Sequence, residues 1–221
     1  MSSTEQSENE QAARVLTKIL DNEQQFVSEK RSDYRELLFV PAKVFQAEFD
    51  FEVGGFTRDV STHGVCLIMP QPFRTGTEAQ IDLFGQNTHA SSLAKCCWSS
   101  KFGDAHWVSG WQLEAGIAIG RLLKEDRAIE SEQEQRNSDR LQAAVPVSIY
   151  LPDNTYRVPG FTRNLSHSGL CLVSKVEIQP NQVADLEVMC LTGESSRIES
   201  RCMWTKQYDD GHWVSGWKFS L

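Results

Sequence analysis

Two side-chain patterns in this 221-residue chain have residue types and spacing suited to chemistry. The first is Arg-x-x-x-Arg, present as Arg31 and Arg35 and again as Arg136 and Arg140. The second is Asp/Asn-x-Ser-x-x-Gly, present as Asp59, Ser61 and Gly64 and again as Asn164, Ser166 and Gly169. A guanidinium carries a planar fork of donors that meets phosphate oxygens two at a time. Two neighbouring arginines repel, and an anion between them relieves the repulsion. An Asp or Asn on a strand, followed two residues later by Ser, sends both side chains to one face. A carboxylate accepts hydrogen bonds, whereas a carboxamide and a hydroxyl both accept and donate. That set suits a purine edge, above all guanine with its N1 and N2 donors. The glycine admits close approach of backbone or ligand, and arginine faces stack on bases. The combination reads as a site for a guanine-bearing phosphodiester.

Either pattern alone is commonplace. Arg-x-x-x-Arg on a helix is usually a solvated face, and Asp-x-Ser-x-x-Gly is usually a turn with a capping side chain. Specificity comes from their joint recurrence, with the same interval from first arginine to Asp or Asn in both places. The recurrence belongs to a longer repeat. Residues 55–67 and 160–172 both begin Gly-Phe-Thr-Arg, and the match runs upstream through Pro41/Pro146 and Val53/Val158. Downstream, His-Trp-Val-Ser-Gly-Trp occurs at 106–111 and 212–217, and Cys96 and Trp98 match Cys202 and Trp204. The chain is one domain duplicated. Both arginines, the serine and the glycine persist between the copies while surrounding positions differ.

The elements that must position these residues are short. Residues 38–51 and 143–158 mix β-branched and aromatic residues with polar ones and predict strands. Gly55 and Pro159-Gly160 read as turns. Further strands are expected over 56–60 and 64–69, with a Ser/Thr/His/Gly kink between them, and over 79–84, 93–99 and 106–113. In the second copy they fall over 184–191, 199–205 and 212–219. Six short strands per copy argue for a mainly β chain of two small antiparallel barrels. Residues 10–29 carry Val15, Leu16, Ile19, Leu20, Phe26 and Val27 at helical spacing, and 119–135 carry Leu122, Leu123, Ala128 and Ile129. Each helix precedes its copy's arginine pair, and the second also connects the copies. The apolar stripe over 10–29 either packs on its own barrel or forms a homodimer contact. The expected division is a tail and helix over 1–29, a first domain over 30–113, a connecting helix over 114–134 and a second domain over 135–221.

Composition narrows the function. The chain is 40% hydrophobic and 24% charged, ordinary for a globular protein, which excludes wholesale disorder and collagen. It holds 22 Lys and Arg against 30 Asp and Glu, a net charge of -8. So acidic a body disfavours non-specific binding to nucleic acid or an anionic membrane, and any anion site is a local basic cluster. No apolar run is long enough to span a membrane. The acidic, polar N-terminus lacks the chemistry of a secretory signal, so a cytoplasmic location is expected. The 6 cysteines are then expected as free thiols, with Cys66 and Cys171 as small core residues. His63-x-x-Cys66 and His167-x-x-x-Cys171 differ in spacing and do not supply four metal ligands. No trio has the arrangement of Ser-His-Asp catalysis. Trp107, Trp111, Trp213 and Trp217 are expected in the barrel cores. Arg58 and Arg163 precede the Asp or Asn in each copy. Strand alternation assigns them to the opposite face, and they stand as a further pair of candidate binding residues.

The paired motifs resemble the PilZ domain, the bacterial receptor module for the second messenger cyclic di-GMP. The resemblance covers about residues 30–113 and 135–221, and it includes Gly110-Trp-Gln-Leu113 and Gly216-Trp-Lys-Phe219 where the family commonly has Gly-x-x-Phe. Leu113 departs from that pattern. So does the end of the second copy, where the family often has a helix after the barrel. The resemblance implies a six-stranded barrel per copy, with Arg31, Arg35, Arg136 and Arg140 on phosphates and guanine faces. Asp59, Ser61, Gly64, Asn164, Ser166 and Gly169 would then read base edges. It further implies a non-catalytic receptor without cofactor or metal. Its arginine segments would close over cyclic di-GMP, and an unidentified protein partner in motility, biofilm or exopolysaccharide control would read the change. The alternative is a ligand-independent PilZ scaffold in pilus or flagellar assembly.

Overall fold

Alternation of apolar and polar residues is plainest in two segments. In the computed structural model, Glu78–Phe84 (β5) buries Ala79, Ile81 and Leu83 and leaves Glu78 and Gln80 exposed. Val183–Met189 (β12) likewise buries Ala184, Leu186 and Val188. Strands of this pattern build a sheet with one face on a core. The structure describes residues 17, 35–85, 87–103, 106–124, 141–152, 157–189, 195–209 and 212–220. They fall into two compact units, one of Arg31–Arg136 and one of Asn137–Leu221 together with Met1–Lys30.

The first unit contains β1 (Glu36–Leu37), β2 (Pro41–Gln46), β3 (Phe51–Ser61), β4 (Gly64–Met69), β5, β6 (His89–Phe102) and β7 (His106–Leu113). Antiparallel pairing runs β2–β3–β4–β7–β6–β5 and returns from β5 to β2, closing a six-stranded barrel. Strand β1 is a two-residue addition beside β3. The second unit contains β8 (Leu141–Gln142), β9 (Pro146–Tyr150), β10 (Arg157–Ser166), β11 (Gly169–Ser174), β12, β13 (Ser195–Asp209) and β14 (His212–Phe219). It closes in the same way as β9–β10–β11–β14–β13–β12–β9, with β8 beside β10. Closure pairs each of the six barrel strands on both sides.

The first core gathers Val44, Val60, Leu67, Ile81 and Trp111, and Phe73 from the β4–β5 connection meets the Trp111 ring edge-on, centroids 5.1 Å apart. In the second, Ile149, Leu165, Leu172, Leu186 and Trp217 surround Ile178, the residue matching Phe73. Both core indoles donate their N–H to a neighbouring serine, Trp111 to Ser109 and Trp217 to Ser215, each at 2.8 Å. Their rings are therefore buried without stranding a polar atom. Leu113 and Phe219 occupy equivalent core positions, 4% and 5% exposed, so the Leu-for-Phe departure is a change of core volume.

Three expectations are revised. Gly55 and Gly160 are not turns but lie inside β3 and β10. A Cβ there would sit 2.3 Å from the Ile68 carbonyl oxygen or 2.6 Å from that of Val173, so each glycine marks a close strand approach. Pro159 pairs only with Ser148 of β9, because pairing to β11 begins at Gly160, and no ladder bond is lost. The turn in the first copy comes earlier, at Ala47–Phe49, with Asp50 at φ 46. Second, the helix expected over 119–135 is seen over 119–124. These residues pack on the first barrel: Leu122 is fully buried in the first core beside Ile117, whose N–H donates to the Thr62 carbonyl at 3.0 Å. The helix expected over 10–29 lies outside the described residues except for Thr17, which is helical and exposed. The third revision concerns Arg58 and Arg163. No described helix is long and apolar enough to cross a membrane.

Candidate ligand-binding site

Strands β3 and β4 form a hairpin across Thr62 and His63, and the register of the ladder decides which side chains face outward. Thr57 pairs with Leu67 and Val60 with Val65, all buried toward the core side, whereas Asp59 pairs with Cys66 and Ser61 with Gly64. Only Arg58 separates Thr57 from Asp59, and the register slips by one there. Arg58 is thus the surplus residue of a β-bulge. Ordinary alternation would send Arg58 and Asp59 to opposite faces; the bulge places both on the outer wall. The same slip lies between Thr162 and Asn164, with Arg163 as the surplus residue. Arg163 is buried and its guanidinium lies over the Tyr208 ring, 5.9 Å from the centroid. The opposite-face assignment for these two arginines therefore fails in both copies, and a one-residue register slip is the reason.

The outer wall presents matching rows. Asp59, Cys66, Gly110 and Trp98 lie side by side across β3, β4, β7 and β6. Asn164, Cys171, Gly216 and Trp204 do so in the second barrel. Each indole covers its glycine: a Cβ on Gly110 would lie 2.2 Å from Trp98 Nε1, and one on Gly216 2.1 Å from Trp204 Nε1. Trp98 is 40% exposed. These two wall tryptophans were missed as site candidates; the sequence signal was available, because the duplicated Cys-x-Trp spacing matches the duplicated Gly-Trp of the last strand. The next row is Ser61, Gly64, Gln112 and Lys95 in one barrel and Ser166, Gly169, Lys218 and Arg201 in the other. Lys218 and Arg201 are exposed, a local cationic strip on an acidic chain.

Strand β1 delivers the arginine. Glu36 and Leu37 pair with Val60 and Asp59, which sets Arg35 beside the hairpin. Arg35 Nη1 donates to Asp59 Oδ1 at 2.5 Å in a partly buried ion pair. Its Nη2 lies 3.1 Å from where a Gly64 Cβ would stand, with Ser61 Oγ 3.5 Å from that point. Ser61 Oγ donates to the Gly64 carbonyl at 3.4 Å, and Ser166 Oγ donates to that of Gly169 at 3.1 Å. Ser166 Oγ also lies 3.4 Å from Ser168 Oγ. Four sequence candidates, Arg35, Asp59, Ser61 and Gly64, are thus brought together, and Asn164, Ser166 and Gly169 share the equivalent hairpin. Arg31, Arg136 and Arg140 lie outside the described residues. A guanidinium oriented by a carboxylate and aimed across a glycine presents its remaining N–H groups and its flat face to a ligand on the wall. Among the described residues no group of His, Cys, Asp and Glu side chains could hold a metal ion.

Of the described cysteines, Cys66, Cys96, Cys171 and Cys202 are buried free thiols, and Cys97 is an exposed one. Cys66 and Cys171 are buried, as expected, but they stand in the wall rows and not in the two core clusters. Burial raises the thiol pKa of Cys96 to about 11, with the neighbouring Cys97 adding to the effect, and burial likewise raises Cys202 to about 11.

A closed six-stranded antiparallel barrel present twice, the first with an arginine delivered to the outer wall of its β3–β4 hairpin, defines a duplicated small β-barrel module. The chain belongs to the PilZ domain family, whose model matches residues 29–128 and 134–221. Similar solved structures include Borreliella burgdorferi PlzA in complex with c-di-GMP, at 12% identity over 93% of this chain and 93% of that one, TM-score 0.34. Bacillus subtilis MotI/DgrA, an inhibitor of motility, is similar at 11% identity over 84% and 88%, TM-score 0.34. Escherichia coli YcgR in complex with c-di-GMP is similar at 10% identity over 94% and 82%, TM-score 0.33. Comparison with curated proteins gives no match.

Proposed function

We propose that this chain is a non-catalytic, cytosolic receptor for cyclic di-GMP, with one site on the outer wall of each barrel. The observation that carries the reading is the Arg35 guanidinium, held by Asp59 and lying over Gly64 beside Ser61. This is the constellation expected of an anion clamp next to a base-reading edge. Asp59 and Ser61, and Asn164 and Ser166, read guanine edges. Arg35, with Arg31, Arg136 and Arg140 assigned by the repeat, holds phosphates and stacks on the bases. Trp98 and Trp204 floor the same walls. The receptor domains are residues 30–113 and 135–221, and 114–124 close the first barrel. Ligand ordering the arginine segments changes the surface that a protein partner in motility, biofilm or exopolysaccharide control reads. A homodimer through residues 10–29 is tested by sedimentation of the chain with and without residues 1–29.

Calorimetry with cyclic di-GMP tests the reading. The wild-type chain is expected to bind, and Arg31→Ala with Arg136→Ala to abolish binding while the far-ultraviolet spectrum stays unchanged. Each single variant retains one site. Losing a charge-assisted arginine–phosphate contact costs about 1.5–3 kcal/mol, roughly ten- to hundred-fold in affinity. Absence of any heat with the wild-type chain leaves the scaffold reading.

A further inference from the structure

Both barrels grip the backbone just after the arginine segment with the same buried hydroxyl. Thr57 is fully buried; its Oγ1 donates to the Leu38 carbonyl and accepts the Val40 N–H at 3.0 Å, and its own N–H donates to the Val40 carbonyl at 2.9 Å. Thr162 repeats the arrangement. Its Oγ1 donates to the Ala143 carbonyl and accepts the Val145 N–H at 3.0 Å, and its N–H donates to the Val145 carbonyl at 2.9 Å. Each threonine stands immediately before the bulge that turns the next two side chains outward. Between Arg35 and the gripped segment lie only Glu36 and Leu37, the two residues of β1. A two-residue pairing is too short to hold a chain segment in place alone. The hydroxyl supplies what it lacks, because valine in its place would strand the Leu38 carbonyl and the Val40 N–H in a dry environment.

We propose that Thr57 and Thr162 are positioning residues for the two ligand sites. Neither faces the wall on which ligand would lie. Each pins the backbone that follows its copy's arginine pair, so that in the first barrel Arg35 reaches the Asp-Ser-Gly hairpin already in register. The proposal rests on the receptor reading, and its test keeps the two apart.

Thr57→Val and Thr57→Ser are made in the full chain and titrated with cyclic di-GMP well below their unfolding temperatures. Tryptic cleavage after Arg35 is followed without ligand. Thr57→Val is expected to weaken the first site about ten-fold and leave the second unchanged; Thr57→Ser, which keeps the hydroxyl, restores affinity to within about two-fold. Cleavage after Arg35 is expected to speed up in the valine variant only. Lower thermal stability with affinity and cleavage unchanged would mean that the hydroxyl is merely structural, and would overturn the proposal. A wild-type chain that binds no cyclic di-GMP overturns the receptor reading, and unchanged cleavage in Thr57→Val then overturns the grip as well. Should Thr57→Val fail to fold, hydrogen exchange on the wild-type chain decides: the Val40 and Val145 amides are expected among the slowly exchanging barrel amides, and fast exchange at both refutes the grip.

Discussion

Gly64 and Gly169 hold the same place in their hairpins but have different neighbours, and alanine should separate them. Neither has a positive φ, so alanine is compatible with both backbones. At Gly169 the new Cβ would stand 2.1 Å from the Trp217 carbonyl oxygen and 3.1 Å from its carbon. That oxygen is backbone in the β11–β14 ladder and moves only if the ladder parts. Overpacking costs about 1–3 kcal/mol where side chains can adjust, so a backbone clash belongs at about 3 kcal/mol or above. With a urea m-value of about 2 kcal/mol/M, the second barrel's midpoint falls by about 1.5 M. At Gly64 the Cβ would meet Arg35 Nη2 at 3.1 Å, the Trp111 oxygen at 3.3 Å and Ser61 Oγ at 3.5 Å. The guanidinium is the far end of a flexible chain and the carbonyl need shift only slightly. The reduced freedom of the unfolded chain returns about 0.4–1 kcal/mol, leaving a net change within about 1 kcal/mol. Gly64→Ala should therefore fold nearly as well as wild type yet lose first-site affinity, because the methyl fills the cradle beneath Arg35. Urea unfolding followed by tryptophan fluorescence, with calorimetry on the same samples, reads both quantities. Equal midpoints for the two variants, or a lower one for Gly64→Ala, would refute the reasoning.

Other outcomes follow from the same geometry. Gly110→Ala and Gly216→Ala place a methyl about where Trp98 and Trp204 now rest, so each indole should swing off the wall; red-shifted emission and stronger acrylamide quenching would report it, and unchanged spectra would count against the floor assignment. Iodoacetamide at pH 8 should label Cys97 well before Cys96 or Cys202, which at a pKa of about 11 are only about one-thousandth thiolate there, and peptide mass mapping checks the order. These two thiols also tie stability to pH. The folded chain keeps their protons where the unfolded chain releases them at about the ordinary value of 9.0, so their contribution is intact below pH 9 and is lost on rising toward 11. Urea midpoints at pH 7.5 and 10 should therefore differ less in a Cys96→Ala, Cys202→Ala variant than in wild type. Arg163→Ala should destabilise the second barrel by about 2 kcal/mol through lost packing on Tyr208, measured by the same unfolding assay.

Much of this was legible in the sequence because duplication printed the pattern twice. The last strand of each copy falls where the repeated His-Trp-Val-Ser-Gly-Trp put it, at His106–Leu113 and His212–Phe219. The convergence of Asp59 and Ser61 on one face followed from their two-residue spacing. Gly55 and Gly160 misled because a glycine admitting a neighbouring backbone looks, in one dimension, like a glycine admitting a turn. The bulge at Arg58 and Arg163 was invisible for a similar reason: periodicity presumes an unbroken ladder, and a surplus residue leaves no compositional mark. Helical spacing does not say which neighbour the stripe carrying Leu122 will meet; its burial among first-barrel residues does. The threonine grip lay within the repeated Gly-Phe-Thr-Arg run, but a hydroxyl's partners nineteen residues away in chain order cannot be counted off a sequence.

The surplus arginine in each hairpin has a consequence for how such walls diversify. It acts as a phase shifter: upstream of it the strand's even-numbered positions face one way, downstream the other. Were the ladder to run unbroken through the same residues, the carboxylate or carboxamide would turn toward the oily interior; the slip leaves the upstream half free to vary without disturbing what the downstream half displays. A single inserted amino acid thereby uncouples the barrel's internal filling from the lettering on its surface.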